Sequence, residues 1–82
     1  MAFLAKHEVK IYTTPTCVYC KMTKEFFKQN SVDYKEINVA ADEKAAAEMI
    51  EKSGQMGVPV IDVDGKIIVG YDRDALKKAL EL

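Results

Sequence analysis

The sequence has little of what several function classes require. Lysine and arginine total 12 against 13 aspartates and glutamates, a formal charge of −1 over 82 residues. No long-range field is available to gather nucleic acid or an anionic membrane, so any partner is recognised locally. The apolar runs are far too short to span a bilayer. The opening MAFLAKHE lacks the apolar stretch and small-residue cleavage pattern of a secretory signal. A cytoplasmic location is therefore expected, where ambient thiols keep ordinary cysteines reduced. Internal repeats, low-complexity tracts and linkers are also missing. With 49% apolar and 30% charged residues, the chain predicts one small domain over residues 1–82 with a single modest core.

What is present is a regular alternation of elements. HEVKIYT, residues His7 to Thr13, reads as a strand bounded by the turn-forming TTPT, with Val9 and Ile11 on one side of the pleat. A helix is predicted from Cys17 to about Gln29. Its larger apolar residues Tyr19, Met22, Phe26 and Phe27 fall at helical spacings, and Lys21, Lys24, Glu25 and Lys28 take the other side. VDYKEINV, Val32 to Val39, is rich in strand formers, but the side-chain parity changes between Tyr34 and Ile37, which calls for an irregularity or for burial on both faces. Asp42 then caps a second helix with Ala46, Met49, Ile50 and Ser53 inward and Gly54 as its stop. VPVIDVDGKIIVG sets two strands around Asp64-Gly65, a type I′ hairpin signal. Asp72 and Asp74 open a last helix whose apolar stripe is Leu76, Ala79 and Leu80. The predicted order is β-α-β-α-β-β-α, an α/β arrangement whose βαβ start implies a parallel strand pair.

The two cysteines, Cys17 and Cys20 of TTPTCVYCKM, fall where the first strand hands over to the first helix. Free N–H groups and a partial positive charge at a helix N-terminus stabilise a thiolate over a thiol, so Cys17 is expected to be the acidic cysteine. Lys21, Lys24 and Lys28 lie at helical offsets that put them on the face of the cysteines, adding cations in the same direction. Cys20, one turn further in, would be shielded and would attack a mixed disulfide formed on Cys17. A structural disulfide would close a very small loop and constrain little of the unfolded chain. A zinc site lacks ligands, since only His7 and carboxylates accompany the two thiols. A metal or iron–sulfur site shared by two chains would have four thiolates. Thiol–disulfide exchange is the chemistry that a Cys-x-x-Cys pair beside a βαβ pattern most directly indicates. His7 is expected at the surface, with no catalytic part.

CVYC after the VKIYTTPT strand, GVPVI in the second half and VGYDRDAL at the last helix together resemble the glutaredoxin family, from about residue 8 to residue 80. The resemblance implies a thioredoxin fold, with a four-stranded mixed sheet flanked by three helices. It implies catalytic Cys17 and Cys20, a cis Val58-Pro59 bond facing them, and glutathione as co-substrate rather than a permanently bound cofactor. Val58 backbone groups would then pair with an extended thiol peptide. Gly70 and Asp72 match the family's glutathione-binding segment, with Val69 where a second glycine is usual. Thr14 stands where a lysine often pairs with a glutathione carboxylate, a role Lys21 or Arg73 could take. Asp72 is expected to cap its helix as well, and Tyr19 and Tyr71 to form a partly exposed rim that contacts substrate. The implied function is reduction of protein disulfides or glutathionylated proteins by a monomer. Two alternatives stand beside it: a glutaredoxin-like redoxin reduced by thioredoxin reductase and feeding an enzyme such as ribonucleotide reductase, and a dimeric iron–sulfur carrier with glutathione ligands.

Overall fold

β-Branched residues and caps divide the chain as their chemistry dictates. The computed structural model describes residues 7–82. Along it run β1 (Val9–Thr13), α1 (Val18–Gln29), β2 (Lys35–Asn38), α2 (Glu43–Ser53), β3 (Val60–Val63), β4 (Lys66–Val69) and α3 (Arg73–Leu80). The element order is the expected one, and the strands form one mixed sheet in the order β2-β1-β3-β4. β1 pairs parallel to β2, with Tyr12 opposite Ile37, and antiparallel to β3, with Tyr12 opposite Val60. β3 and β4 form the hairpin. At its turn Asp64 and Gly65 have φ of 52° and 91°, the two positive values that a type I′ turn needs. Asp42 and Asp72 cap α2 and α3 through their side chains, and Gly54 ends α2 in the left-handed region at φ 75°.

The alternation of strand side chains sorts the core onto two faces. Val9, Ile11, Ile61, Val63 and Ile68 pack against Phe26 and Phe27 of α1 and Leu76 and Leu80 of α3. Tyr12 and Val60 face the other way and meet Met49 of α2, with Ile37 and Ile67 beside them. The helices therefore flank the sheet two and one.

Three expectations change in detail. The strand at VDYKEINV is shorter, Lys35–Asn38, and its parity puzzle resolves as burial on both faces: Tyr34 joins the first cluster, 5.2 Å between ring centroids from Phe27, and Ile37 joins the second. In α1 the inward residues are Cys20, Thr23, Phe26 and Phe27, whereas Met22 is 43% exposed; Tyr19, 61% exposed, lies outside the core as expected. The first half of the helix therefore buries small side chains, Cys20 and Thr23, and the second half the two phenylalanines. Ile50 of α2 is likewise exposed at 38%, leaving Met49 as the buried residue of that helix.

Candidate functional site

Strand β1 ends at Thr13, and a tight turn follows in which the Cys17 N–H donates to the Thr14 carbonyl at 3.3 Å. Pro15 occupies the second position of that turn, where its fixed φ suits it. Cys17 thereby arrives as the N-cap of α1 with extended backbone, and its Sγ accepts the Cys20 N–H at 3.0 Å. A sulfur in the capping position receives one of the helix's free amide donors. The two cysteine sulfurs are paired as a disulfide, with Cα atoms 5.2 Å apart. Cys17 is partly exposed, whereas Cys20 is 1% exposed.

The strand register brings the distant candidates to the same end of the sheet. Tyr12 opposite Val60 and Val60 opposite Val69 put Pro59 beside the end of β1 and Gly70 beside Pro59. The Gly70 N–H donates to the Pro59 carbonyl at 2.8 Å, closing that edge. The Val58-Pro59 bond is cis, as the resemblance implied, and Pro59 is buried. Tyr71 is half-buried against the first core cluster, while Tyr19 stands exposed on α1. The Asp72 Oδ1 accepts the Ala75 N–H at 3.1 Å, the capping bond expected of it. Val69 is 45% exposed.

The expected line of α1 cations is altered by a pairing between elements distant in sequence. Lys21 is exposed at the surface. Lys24 instead donates to Glu36 Oε2 of β2 at 2.8 Å, and the same oxygen accepts from the buried Thr13 hydroxyl at 3.0 Å. The Lys24 hydrogen bond, with help from Thr13, holds the Glu36 carboxyl below the usual range even though partial burial acts the other way. Neither Thr13 nor Glu36 emerged from the sequence. Their only advance signal was polar character in a strand, which does not identify a partner.

Away from the cysteines two further polar clusters tie elements together. Under α2, Lys52 donates to Asp62 Oδ2 at 2.9 Å and to the Tyr12 hydroxyl at 3.1 Å, and Tyr12 donates to Glu48. The Asp62 hydrogen bond raises the Lys52 pKa, and burial, then the bond to Glu48, raises that of Tyr12. At the opposite end of the sheet His7 Nδ1 lies 2.6 Å from Asp64 Oδ2 at the hairpin turn, and its Nε2 lies 3.4 Å from Glu81 after α3. His7 is thus a tether with an 18% exposed side chain rather than a free surface residue. It sits far from the cysteines because Val9 pairs with Val63, at the other end of β1 from Thr13. Among the described residues, no group of three or more His, Cys, Asp and Glu side chains has an arrangement able to hold a metal ion, and no helix is long and apolar enough to cross a membrane.

A cysteine pair at a strand-to-helix junction of a β-α-β-α-β-β-α sheet, one sulfur capping the helix and the other buried, defines a dithiol redox protein of the thioredoxin-like fold. A sequence model of glutaredoxins matches residues 9–68. The chain belongs to the glutaredoxin family. It is 49% identical over 73 residues to an uncharacterized glutaredoxin-like 8.6 kDa protein of the rubredoxin operon of Clostridium pasteurianum, covering 89% of this chain and 97% of that one. The crystal structure of the glutaredoxin grx-1 from Archaeoglobus fulgidus superposes with a TM-score of 0.84 at 31% identity, covering 92% of this chain and 87% of that one. The glutaredoxin-like protein NrdH-redoxin from Escherichia coli, described as having a thioredoxin-like activity profile, superposes with a TM-score of 0.77 at 28% identity over 87% of this chain and 92% of that one.

Proposed function

We propose that this chain reduces protein disulfides and glutathione mixed disulfides, with Cys17 as nucleophile, Cys20 as resolving thiol and glutathione as co-substrate. One observation carries the assignment of roles: Cys17 is partly exposed and receives a helix N-terminal hydrogen bond, while Cys20 is buried one turn behind it. Amide donation and the helix dipole lower the Cys17 thiol pKa in direction and make it the attacking thiolate. That thiolate bonds to one substrate sulfur, and the other substrate sulfur leaves as a thiolate and takes a proton. Cys20 then loses its proton and attacks the Cys17 sulfur, releasing the reduced substrate and leaving the Cys17–Cys20 disulfide. Two glutathione thiols supply the two electrons and two protons that restore the dithiol, and leave as glutathione disulfide.

Val58 and Pro59 supply an extended edge for a substrate peptide, Tyr19 and Tyr71 its rim, and Lys21, Gly70 and Asp72 the contacts to glutathione. The chain acts as a monomer with no permanently bound cofactor, in the reducing cytoplasm.

A second electron source is favoured by two features at the Gly70 edge. Val69 presents an exposed side chain where the family usually has glycine, and the Gly70 amide is engaged by Pro59. The engaged amide is one main-chain donor fewer for glutathione, the Val69 side chain adds bulk beside it, and the likeness to NrdH-redoxin points the same way. In that reading thioredoxin reductase reduces the pair, which then donates electrons to an enzyme such as ribonucleotide reductase. An electron-donor assay separates the two. Turnover of a glutathione mixed disulfide with glutathione and glutathione reductase supports the first, turnover only with thioredoxin reductase supports the second, and turnover with neither overturns both.

A further inference from the structure

We propose that Glu36 is a positioning residue for the redox pair: it holds Lys24 against the end of β1, neutralises its charge, and so limits how strongly the α1 cations favour the Cys17 thiolate. The proposal rests on Cys17 being the nucleophile. Three elements meet at one carboxylate oxygen. Glu36 Oε2 of β2 accepts from Lys24 of α1 at 2.8 Å and from Thr13, the last residue of β1, at 3.0 Å. Thr13 is 1% exposed and lies four residues before Cys17, so the anchor sits at the root of the turn that delivers the cysteine.

The charges around this oxygen are few and their signs are clear. On α1 the groups that act on Glu36 are Lys24 and, at longer range, Lys28, and both favour its ionised form. From β1 only the neutral Thr13 hydroxyl reaches it. Lys35, its neighbour on β2, alternates to the opposite face of the sheet, where it is paired in register with Lys10. On the cysteine's own helix the nearest cations by sequence are Lys21 and Lys24. Lys24 follows Cys17 by seven residues, roughly 10 Å along a helix axis. That is about one Debye length at physiological salt, so an unpaired ammonium there shifts a thiol modestly but measurably. With Glu36 in place, Lys24 contributes little of that shift, and Lys21 is the nearer of the α1 cations left to act.

The sign follows for each side chain. Removing the Glu36 charge leaves Lys24 unpaired, stabilises the thiolate and hence the reduced dithiol. Removing the Lys24 charge leaves a bare carboxylate and does the opposite. The measured reaction is the disulfide plus two glutathione thiols giving the dithiol plus glutathione disulfide, with two electrons and two protons transferred.

The test is thiolate absorbance of the reduced protein against pH, together with its equilibrium constant against glutathione. In low-salt buffer, where screening is weak, Glu36→Gln should lower the Cys17 midpoint by about 0.3 pH units and shift the equilibrium about twofold toward the dithiol, from the Coulomb interaction of one charge about 10 Å away in water. Lys24→Gln should move both quantities the other way, and the double variant should return close to the parent. Thr13→Val should lower the melting temperature without moving the midpoint. If Glu36→Gln and Lys24→Gln shift the midpoint in the same direction, or neither shifts it, the role of Glu36 is overturned and only a structural bond remains. The donor assay on the unaltered chain is read separately: an inactive parent defeats the proposed function, while an active parent with unmoved midpoints defeats only the inference about Glu36.

Discussion

Under α1 and α3 the sheet presents a dry surface, with Val9, Ile11, Ile61, Val63 and Ile68 closed against Phe26, Phe27, Leu76 and Leu80. Under α2 the apolar cluster is smaller, Tyr12, Met49 and Val60, and a chain of charged and hydroxyl groups continues it. The cysteines belong to the helix on the dry side. The helix that carries the reacting sulfur is therefore held by non-directional burial over its length and positioned at its start by a few directional bonds. The face under α2 reverses that balance, because its helix contributes one buried apolar side chain and is fixed by Lys52.

Substitutions on the two faces should differ in size accordingly. Phe27→Ala removes a fully buried ring that contacts Phe26 and Tyr34, and should cost about 3–5 kcal/mol in urea unfolding. That is a large share of what a chain of this length has to lose. Lys52→Met leaves the Asp62 carboxylate, 12% exposed, without its cation. With Lys52 itself 28% exposed and water able to screen the change, the cost should be about 1–3 kcal/mol, smaller than at Phe27. The Asp62 Oδ1 still accepts the Gly65 N–H at 2.8 Å, which keeps the loss below that of a buried carboxylate left with no partner at all. If Lys52→Met costs as much as Phe27→Ala, the contrast between the faces is wrong.

Asp72→Ala should cost about 1 kcal/mol through loss of the α3 cap, with Asp72→Asn nearly neutral. Should Asp72 also hold glutathione, the KM for it rises in Asp72→Asn while stability does not change. The smallest effect is at His7. Its hydrogen bond with Asp64 raises its pKa above 6.5, so its stabilising contribution is complete below pH 6.5 and is lost as pH rises through the higher folded value. Asp64, lowered by the same bond, gives its contribution above pH 3.8 and loses it as pH falls through the lower folded value. Melting temperatures of the parent and His7→Gln should therefore differ most in mildly acidic solution and converge on the alkaline side. A difference that grows with pH would contradict the tether.

Much of this was legible in the sequence because the signals are local. Asp42, Asp72 and Gly54 cap helices through bonds within a few residues, and Asp64-Gly65 signals its turn by two adjacent residues that accept positive φ. The placement of Cys17 as an N-cap follows from the same short-range logic. What escaped depends on register between elements far apart in the chain. Glu36 meets Lys24 only because β2 lies parallel to β1 and α1 crosses back over that edge. Lys52 and Asp62 look like surface charges until the sheet puts Asp62 on the face that α2 covers. Met22 was read inward because size dominates an apolar stripe. Packing close to the sheet instead selected Cys20 and Thr23, which are small, and this same choice buries the second cysteine.

The most direct measurement of the central claim, that Cys17 attacks and Cys20 resolves, is peptide mapping by mass spectrometry after each single-cysteine variant meets glutathione disulfide. Cys20→Ser should rapidly form a stable mixed disulfide on Cys17, and Cys17→Ser should remain nearly unreacted under the same conditions. A mixed disulfide that forms on Cys20 in Cys17→Ser as fast as on Cys17 in Cys20→Ser would contradict the account.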